Sequence, residues 1–314
     1  MRRMGMTMLV VVCLLGVAWL GFTGGTGGND AGAEKSTGET PRRIIVTYPG
    51  ATELLIALNL DDRIAATLAP YGIEPPELAI RYEAIPFLSA PYVPSREEVV
   101  DLQPDLIIGW SHHFEPSGLG DARQWSARGI DTYVVPATIR KGRPTLEETV
   151  YSFIDDMGRI LGAEDAAASY RRGLESRVKA VTDEAEKSEN KPTVMILQSH
   201  GASRYSLYGP VYIVDDIVRK AGGVNVTERQ LSVVGPERVL GFDPDYIVAV
   251  SNVVDSDFDA AMKKAVAVIA EDENLKNMSA VRNGRIIPVP FAEVNNGNGR
   301  VVDGLERIAN GLRK

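Results

Sequence analysis

Apolar and polar positions divide this chain into segments of two kinds. Short β-branched or apolar runs at residues 44–47, 64–68, 106–110, 132–135, 193–198 and 285–289 read as buried strands, most of them bounded by Pro, Gly or charged residues. Between them apolar residues recur at helical spacing, first at Leu54, Leu55 and Leu58 and later over 211–221, 262–270 and 301–312. Alternating strands and helices predict parallel sheets with crossover helices. The longest helical period runs through Leu146, Val150, Phe153, Ile154, Met157, Ile160 and Leu161, is interrupted at Gly162, and resumes through Tyr170, Leu174, Val178 and Val181. It predicts one long helix, kinked at Gly162, between two strand–helix halves. Ser95 with Glu98, and Thr145 with Glu148, have the spacing of capping boxes.

An internal repeat strengthens the division. The stretch SREEVVDLQPDLII at 95–108 is echoed by GPERVLGFDPDYIV at 235–248, with Glu97 and Glu237, and Pro104 and Pro244, each 140 residues apart. A short helix leading through Pro-Asp into a buried strand is used twice, which predicts two similar lobes. The expected fold class is therefore α/β: two Rossmann-like lobes with mostly parallel sheets, joined by a single long helix. The N-terminal lobe is expected at 43–144, the linking helix at 145–190 and the C-terminal lobe at 191–314.

The first residues follow another pattern. Arg2 and Arg3 precede a mostly apolar run from Met4 to Phe22 and a Gly- and Thr-rich stretch ending at Gly28. Residues 1–28 thus read as a signal peptide or N-terminal membrane anchor, the run lying near the lower end of the ~17–25 residues that span a bilayer. The single cysteine, Cys13, follows Val10, Val11 and Val12 rather than the small residue of a lipid-attachment box. Residues 29–42 are polar and read as a flexible linker. A periplasmic location, or one on the outer face of the cytoplasmic membrane, is expected. The remainder is an ordinary globular composition, and a net charge of −8 with no long basic run argues against nucleic acid as a partner.

Several stretches together resemble one known family. Ala51-Thr52-Glu53-Leu54-Leu55 with Leu58 and Arg63, the two Pro-Asp segments, Ala221-Gly222-Gly223-Val224-Asn225 and Ala280-Val281-Arg282-Asn283-Gly284-Arg285 resemble, in order, the substrate-binding proteins of ABC importers for iron siderophores, haem and cobalamin. The resemblance implies a ligand held in the cleft between the lobes, delivery to a membrane permease, no catalytic residues and no cofactor. It also implies that one glutamate on each lobe docks onto permease arginines, and these fall on Glu97 and Glu237. An acid in the first turn of a helix also favours the helix dipole by ~0.3–1 kcal/mol, so the two roles are compatible. A monomer is expected.

In open α/β sheets ligands gather beyond the carboxyl ends of the strands. The residues there are Tyr48; Trp110, Ser111, His112 and His113; Arg140, Lys141 and Arg143; His200, Arg204 and Tyr205; and Phe291. From these the expected ligand-binding set is Tyr48, Trp110, His112, His113, Arg140, His200, Arg204, Tyr205 and Phe291. Imidazoles supply metal ligands or hydrogen bonds, guanidinium groups hold anionic oxygens, and the aromatic rings supply flat apolar walls. Basic loops on an acidic protein favour an anionic iron chelate over uncharged cobalamin. Haem stays open, since His or Tyr serves as an axial ligand. Residues 291–300 read as an unusual loop, within which Asn295-Asn296-Gly297-Asn298-Gly299-Arg300 matches nothing expected in the family and either lines the pocket or merely turns.

Two other readings compete. A free-metal receptor would gather His112, His113, His200 and a carboxylate around Zn²⁺ or Mn²⁺, although adjacent histidines rarely reach one ion. A chelatase-like enzyme is the alternative of a different class, and the chain lacks a nucleophile elbow, a His-Glu zinc helix and a phosphate-cradling Gly loop.

Overall fold

The computed structural model describes residues 40–72, 74–252 and 257–314. The expected signal or anchor at 1–28 and the linker up to residue 39 lie outside the described residues. Among those described, no helix is long and apolar enough to cross a membrane.

Lobe one is built from β1 (Ile44–Val46), α1 (Pro49–Ala57), β2 (Ile64–Thr67), α2 (Pro76–Glu83), α3 (Arg96–Asp101), β3 (Leu106–Gly109), α4 (Ala122–Ser126) and β4 (Asp131–Val134). Its strands lie in the order β2-β1-β3-β4, every neighbouring pair parallel. Ile44 and Val46 enter one apolar cluster and Ile45 another. Because both faces of the sheet are covered, its central strands read as continuous apolar runs.

The long period beginning at Leu146 folds as two helices. α5 (Ser152–Leu161) ends at Gly162, whose φ of 63° is left-handed, and α6 (Glu164–Glu186) then runs 23 residues between the lobes. Arg171 on α6 pairs with Asp155 on α5. Sixteen residues of continuous helix would separate them by about 24 Å, so α6 folds back along α5. The periodicity spanned Gly162 because both helices bury a face in the same core.

Lobe two comprises β5 (Thr193–Ser199), β6 (Tyr205–Leu207), α7 (Ile213–Lys220), β7 (Val224–Asn225), β8 (Leu231–Val234), α8 (Pro236–Val239), β9 (Tyr246–Ser251), α9 (Phe258–Ala270), α10 (Ser279–Arg282), β10 (Ile286–Pro290), α11 (Phe291–Asn295) and α12 (Val301–Leu312). The sheet runs β10-β9-β5-β6-β8, with β7 also on β5. β10, β9, β5 and β7 are parallel, whereas β6 is antiparallel to both β5 and β8. This sheet is therefore mixed. β6 returns through a turn in which Gly201, Ala202 and Ser203 all have positive φ, and so short a hairpin leaves no periodic signal to read.

The repeated Pro-Asp motif performs one task in both lobes. The Asp105 carboxylate, just before β3, accepts hydrogen bonds from the backbone N–H groups of Arg42 (2.7 Å) and Arg43 (3.0 Å) at the entrance to β1. Asp245, just before β9, accepts one from Thr193 N–H (2.8 Å) at the start of β5. Each carboxylate thus satisfies a strand-end donor and sets the register of the neighbouring strand. Ser95 caps α3 by accepting from Glu98 N–H (3.1 Å), but the Glu98 carboxylate turns to Ser89 instead of closing the box.

One buried apolar cluster runs through both lobes, taking Ile44 and Leu54 from the first, Val178 and Val181 from α6, and Val194, Ile217 and Leu305 from the second. The segment 291–300, expected as a loop, is instead α11 followed by a buried turn inserted against lobe one. Asn296 Nδ2 donates to Glu53 Oε1 (2.7 Å), and Asn298 Nδ2 donates to Glu53 Oε2 (2.8 Å) and to the Gly50 carbonyl (2.8 Å). The Tyr48 hydroxyl donates to the Asn295 carbonyl (2.7 Å). Buried polar groups of this kind need such partners, so the turn becomes specific to this seat. The approach is close: a Cβ on Gly50 would stand 2.5 Å from the Asn296 carbonyl oxygen. Gly50→Ala is expected to cost ~1–3 kcal/mol through overpacking, read as a lower urea midpoint. An unchanged midpoint would show that this contact yields freely.

Candidate functional site

The carboxyl ends of the strands in lobe one bring an aromatic group together. Tyr48 follows β1, and its ring meets Trp110, which follows β3, edge-on at 5.0 Å. The next residues form a 3₁₀ turn, Ser111–Phe114, carrying both adjacent histidines. Ser111 N–H donates to Thr138 Oγ1 (3.1 Å) and Ser111 Oγ donates to the Thr138 carbonyl (3.0 Å), stitching this turn to the one after β4. That stitch sets the start of the exposed Arg140, which extends over the ring of Tyr212 at the mouth of α7 (4.5 Å) and lies 6.0 Å from Trp110. Arg140 thus bridges aromatic rings of both lobes. Tyr71 from lobe one and Phe291 from lobe two make a second cross-lobe contact at 6.0 Å.

His112 is half-buried against Trp110 (5.0 Å) and stacks on Tyr92, whose hydroxyl lies 2.6 Å from His112 Nε2. Burial, aided by Arg140, lowers the His112 pKa and favours the neutral ring. Tyr92 is 47% exposed, so this phenol–imidazole pair faces outward.

Other expected site residues are placed differently. Tyr48 and His113 are both 0% exposed. Tyr48 spends its hydroxyl on Asn295, and His113 Nδ1 lies 2.9 Å from Thr47 Oγ1, so both stand behind the site's surface rather than on it. Their sequence position was read correctly, but the close seat of the turns encloses them. Tyr205 is also fully buried, on β6, in the cluster on the far side of the second sheet, with its hydroxyl donated to Asp272. Period-two alternation along β6 turns it away from Ser206, which instead meets His200 (2.8 Å). His200 and the exposed Arg204 belong to the β5–β6 hairpin, and among the described residues neither makes a hydrogen bond, ion pair or ring contact with Trp110, His112 or Arg140. Arg143 is engaged by Asp215 of α7 (2.8 Å). Tyr71, Tyr92, Tyr208 and Tyr212 were not anticipated. Tyr71 follows β2 and was open to the same strand-end rule, whereas Tyr208 and Tyr212 follow a strand, β6, that the sequence does not announce.

No three His, Cys, Asp or Glu side chains among the described residues are grouped as a metal-ion site. Glu97 and Glu237 are both exposed, in the first turns of α3 and α8. A recess of about 520 Å³ beside α3 is lined by Ser95, Glu97 and Gly118 among others, and one of about 290 Å³ beside α8 is lined by Thr227, Arg238 and Phe242 among others.

The profile of a family described as periplasmic binding protein matches residues 44–292. The chain is 24% identical over 255 residues to the petrobactin-binding protein YclQ of Bacillus subtilis, covering 79% of this chain and 74% of that one. It is 24% identical over 278 residues to a cobalamin-binding protein of Halobacterium salinarum, covering 86% and 69%. Its fold matches the crystal structure of an ABC-type Fe³⁺-hydroxamate transport system from Saccharomonospora viridis with a TM-score of 0.71 and 27% identity, covering 91% of this chain and 100% of that one.

Burial lowers the His113 pKa to about 3, with His112 adding to the effect. An unfolded histidine titrates near 6.5, so acidification below that value protonates the unfolded chain while the folded ring stays neutral. Stability is expected to fall by up to ~1.4 kcal/mol per pH unit through this window. Urea midpoints of wild type and His113→Gln at about pH 7 and about pH 5 check this. The wild type should lose more on acidification; equal losses would mean the ring protonates freely.

Proposed function

The chain belongs to the periplasmic binding protein family, and we propose that it captures an anionic ferric chelate outside the cytoplasmic membrane and delivers it to an ABC importer. Members of this family are substrate-binding transport proteins rather than enzymes, which accords with a site of aromatic walls with Arg140 at its edge. Petrobactin, cobalamin and ferric hydroxamates, named for the relatives, set the range of ligands to consider.

Arg140 carries the choice among them. It is exposed, it lies at the junction of the lobes, and among the described residues it meets the rings of Tyr212 and Trp110 and pairs with no carboxylate. A guanidinium held by rings leaves its N–H donors open to an anionic oxygen, a feature of no use to an uncharged corrinoid. The outward Tyr92–His112 pair adds an oxygen and a nitrogen donor of the kinds that bind iron in proteins. In this reading Tyr48 and His113 hold the turns in place, and Trp110, Tyr212 and Phe291 form the walls.

The purified full chain, stripped of ligand, should be mixed in turn with ferric siderophores, haemin and cobalamin while its thermal midpoint is followed. A ligand at 100 times its dissociation constant stabilises by ~2.7 kcal/mol. Stabilisation by a ferric siderophore is expected, with Arg140→Ala weakening affinity roughly ten- to a hundredfold, as for a lost charge-assisted hydrogen bond. A response to cobalamin alone, indifferent to Arg140→Ala, would sink the anionic-chelate reading, and a response to Zn²⁺ or Mn²⁺ alone would favour a free-metal receptor.

Glu97 and Glu237, repeated in the exposed first turns of α3 and α8, are proposed as the contacts with the permease. The double variant Glu97→Ala, Glu237→Ala should bind ligand with unchanged affinity and yet fail to stimulate uptake in vesicles containing the cognate permease. Undiminished uptake would remove the docking role.

A further inference from the structure

Two carboxylates and one guanidinium meet inside the lobe interface. Glu53 comes from α1, Glu74 from the residues just before α2, and Arg300 from the turn before α12; their exposures are 3%, 8% and 8%. Arg300 Nη1 lies 3.4 Å from Glu53 Oε1 and also pairs with Glu74. With both acids ionised the group carries a net charge of −1 in a setting screened from water. An uncompensated buried charge is costly, and the usual escape is to take up a proton.

We propose that the lobe interface is a proton-binding site, in which Glu74 holds the proton, Glu53 stays ionised, and the neutralised group latches lobe two onto lobe one. The hydrogen bonds choose the acid. Burial raises the Glu53 pKa, but Arg300 and the amide bonds from Asn296 to Oε1 and from Asn298 to Oε2 act against it and favour the charged form. Glu74 faces Arg300 with Oε2 only, and its Oε1 is enclosed without a hydrogen-bond partner. Asn296 Oδ1, an acceptor on the same side chain that binds Glu53, is likewise enclosed and unpartnered. Arg300 Nε and Nη2 are also enclosed without partners, so it is the net charge of the group that calls for the proton, and a hydroxyl on Glu74 removes that charge.

The surrounding charges do not relieve the pair. Glu293, from α11, also faces Glu74, but its carboxylate is held by Arg307 (2.8 and 3.0 Å). Asp303 of α12 faces Arg300 and is engaged by Arg177 of α6 (2.6 Å). The remaining titratable neighbours are phenols: Tyr48 and Tyr170 face Glu53, and Tyr82 faces both acids. Burial, followed by the charge of Glu53, pushes Glu74 up to about 8 against the opposing pull of Arg300. A solvated glutamate titrates near ~4.3, so the closed interface binds a proton that an opened one releases over that interval. The latch is therefore tightest in acid, weakens as the pH rises toward about 8, and changes little above that value.

Glu74→Gln mimics the protonated acid and provides the test in the full chain, with no ligand added. The thermal midpoint of Glu74→Gln relative to wild type should rise between about pH 5 and about pH 8 and then level off. A constant difference across that range would overturn the proposal. Hydrogen exchange at residues 295–300 of the wild type, corrected for intrinsic base catalysis, decides the matter even if the variant fails to fold. Protection there should fall by up to about tenfold per pH unit over the same interval, the limit for one linked proton, and protection independent of pH would overturn the latch. Neither measurement involves the transport ligand, so the outcome is separate from the chelate reading.

Discussion

A carboxylate removed from water must be fully answered by hydrogen bonds, and in this chain the answer to Glu53 comes from about 240 residues downstream. The amides of Asn296 and Asn298 occupy its two oxygens, and Arg300 supplies the opposing charge. This arrangement fixes the turn before α12 against the start of α1, at a point where Gly50 leaves no room for error. The apolar cluster that runs through both lobes gives the interface its area, but apolar contact is not directional. The buried amides and charges give it one geometry.

A second set of ties joins lobe one and the linking helices to lobe two. Arg143 reaches Asp215 on α7, and Asp216 accepts from the backbone N–H of Leu146 (3.0 Å) where the helical segment begins. Arg177 joins α6 to Asp303 and Glu306 of α12. With the lobes held along two lines, the loops at the carboxyl ends of β1, β3 and β10 meet with little freedom, and Tyr48 holds the seat while backing Trp110 from behind. The aromatic site is thus a consequence of the interface. Arg140 stands outside this bracing, and the proposed ligand contact relies on its exposure at the junction.

Much of the architecture was legible because it rests on local periodicity. Runs such as Ile44–Val46 and Leu106–Gly109 are apolar throughout since both faces of a parallel sheet are covered, and that signature needs no knowledge of the neighbours. The Pro-Asp repeat was visible as a pattern, while its reason, a carboxylate closing the open end of the adjacent strand, required seeing Asp105 beside Arg43 and Asp245 beside Thr193. Short elements escaped: β6 has three residues, and a hairpin stabilised by its sheet partners carries almost no periodic signal of its own.

The site divides along the same line. Sequence alone determined the family, the two-lobed α/β plan, and the loops on which Trp110, His112 and Arg140 stand, because strand ends follow from hydrophobic runs and chemistry follows from residue type. Tertiary structure alone decided that Tyr48 and His113 are enclosed, that Tyr205 faces the opposite core, that Tyr92 meets His112, and that the unassigned stretch 295–300 is the buried key of the interface. These are contacts between residues tens to hundreds of positions apart. Their free energy depends on burial and hydrogen-bond geometry, which no local pattern encodes.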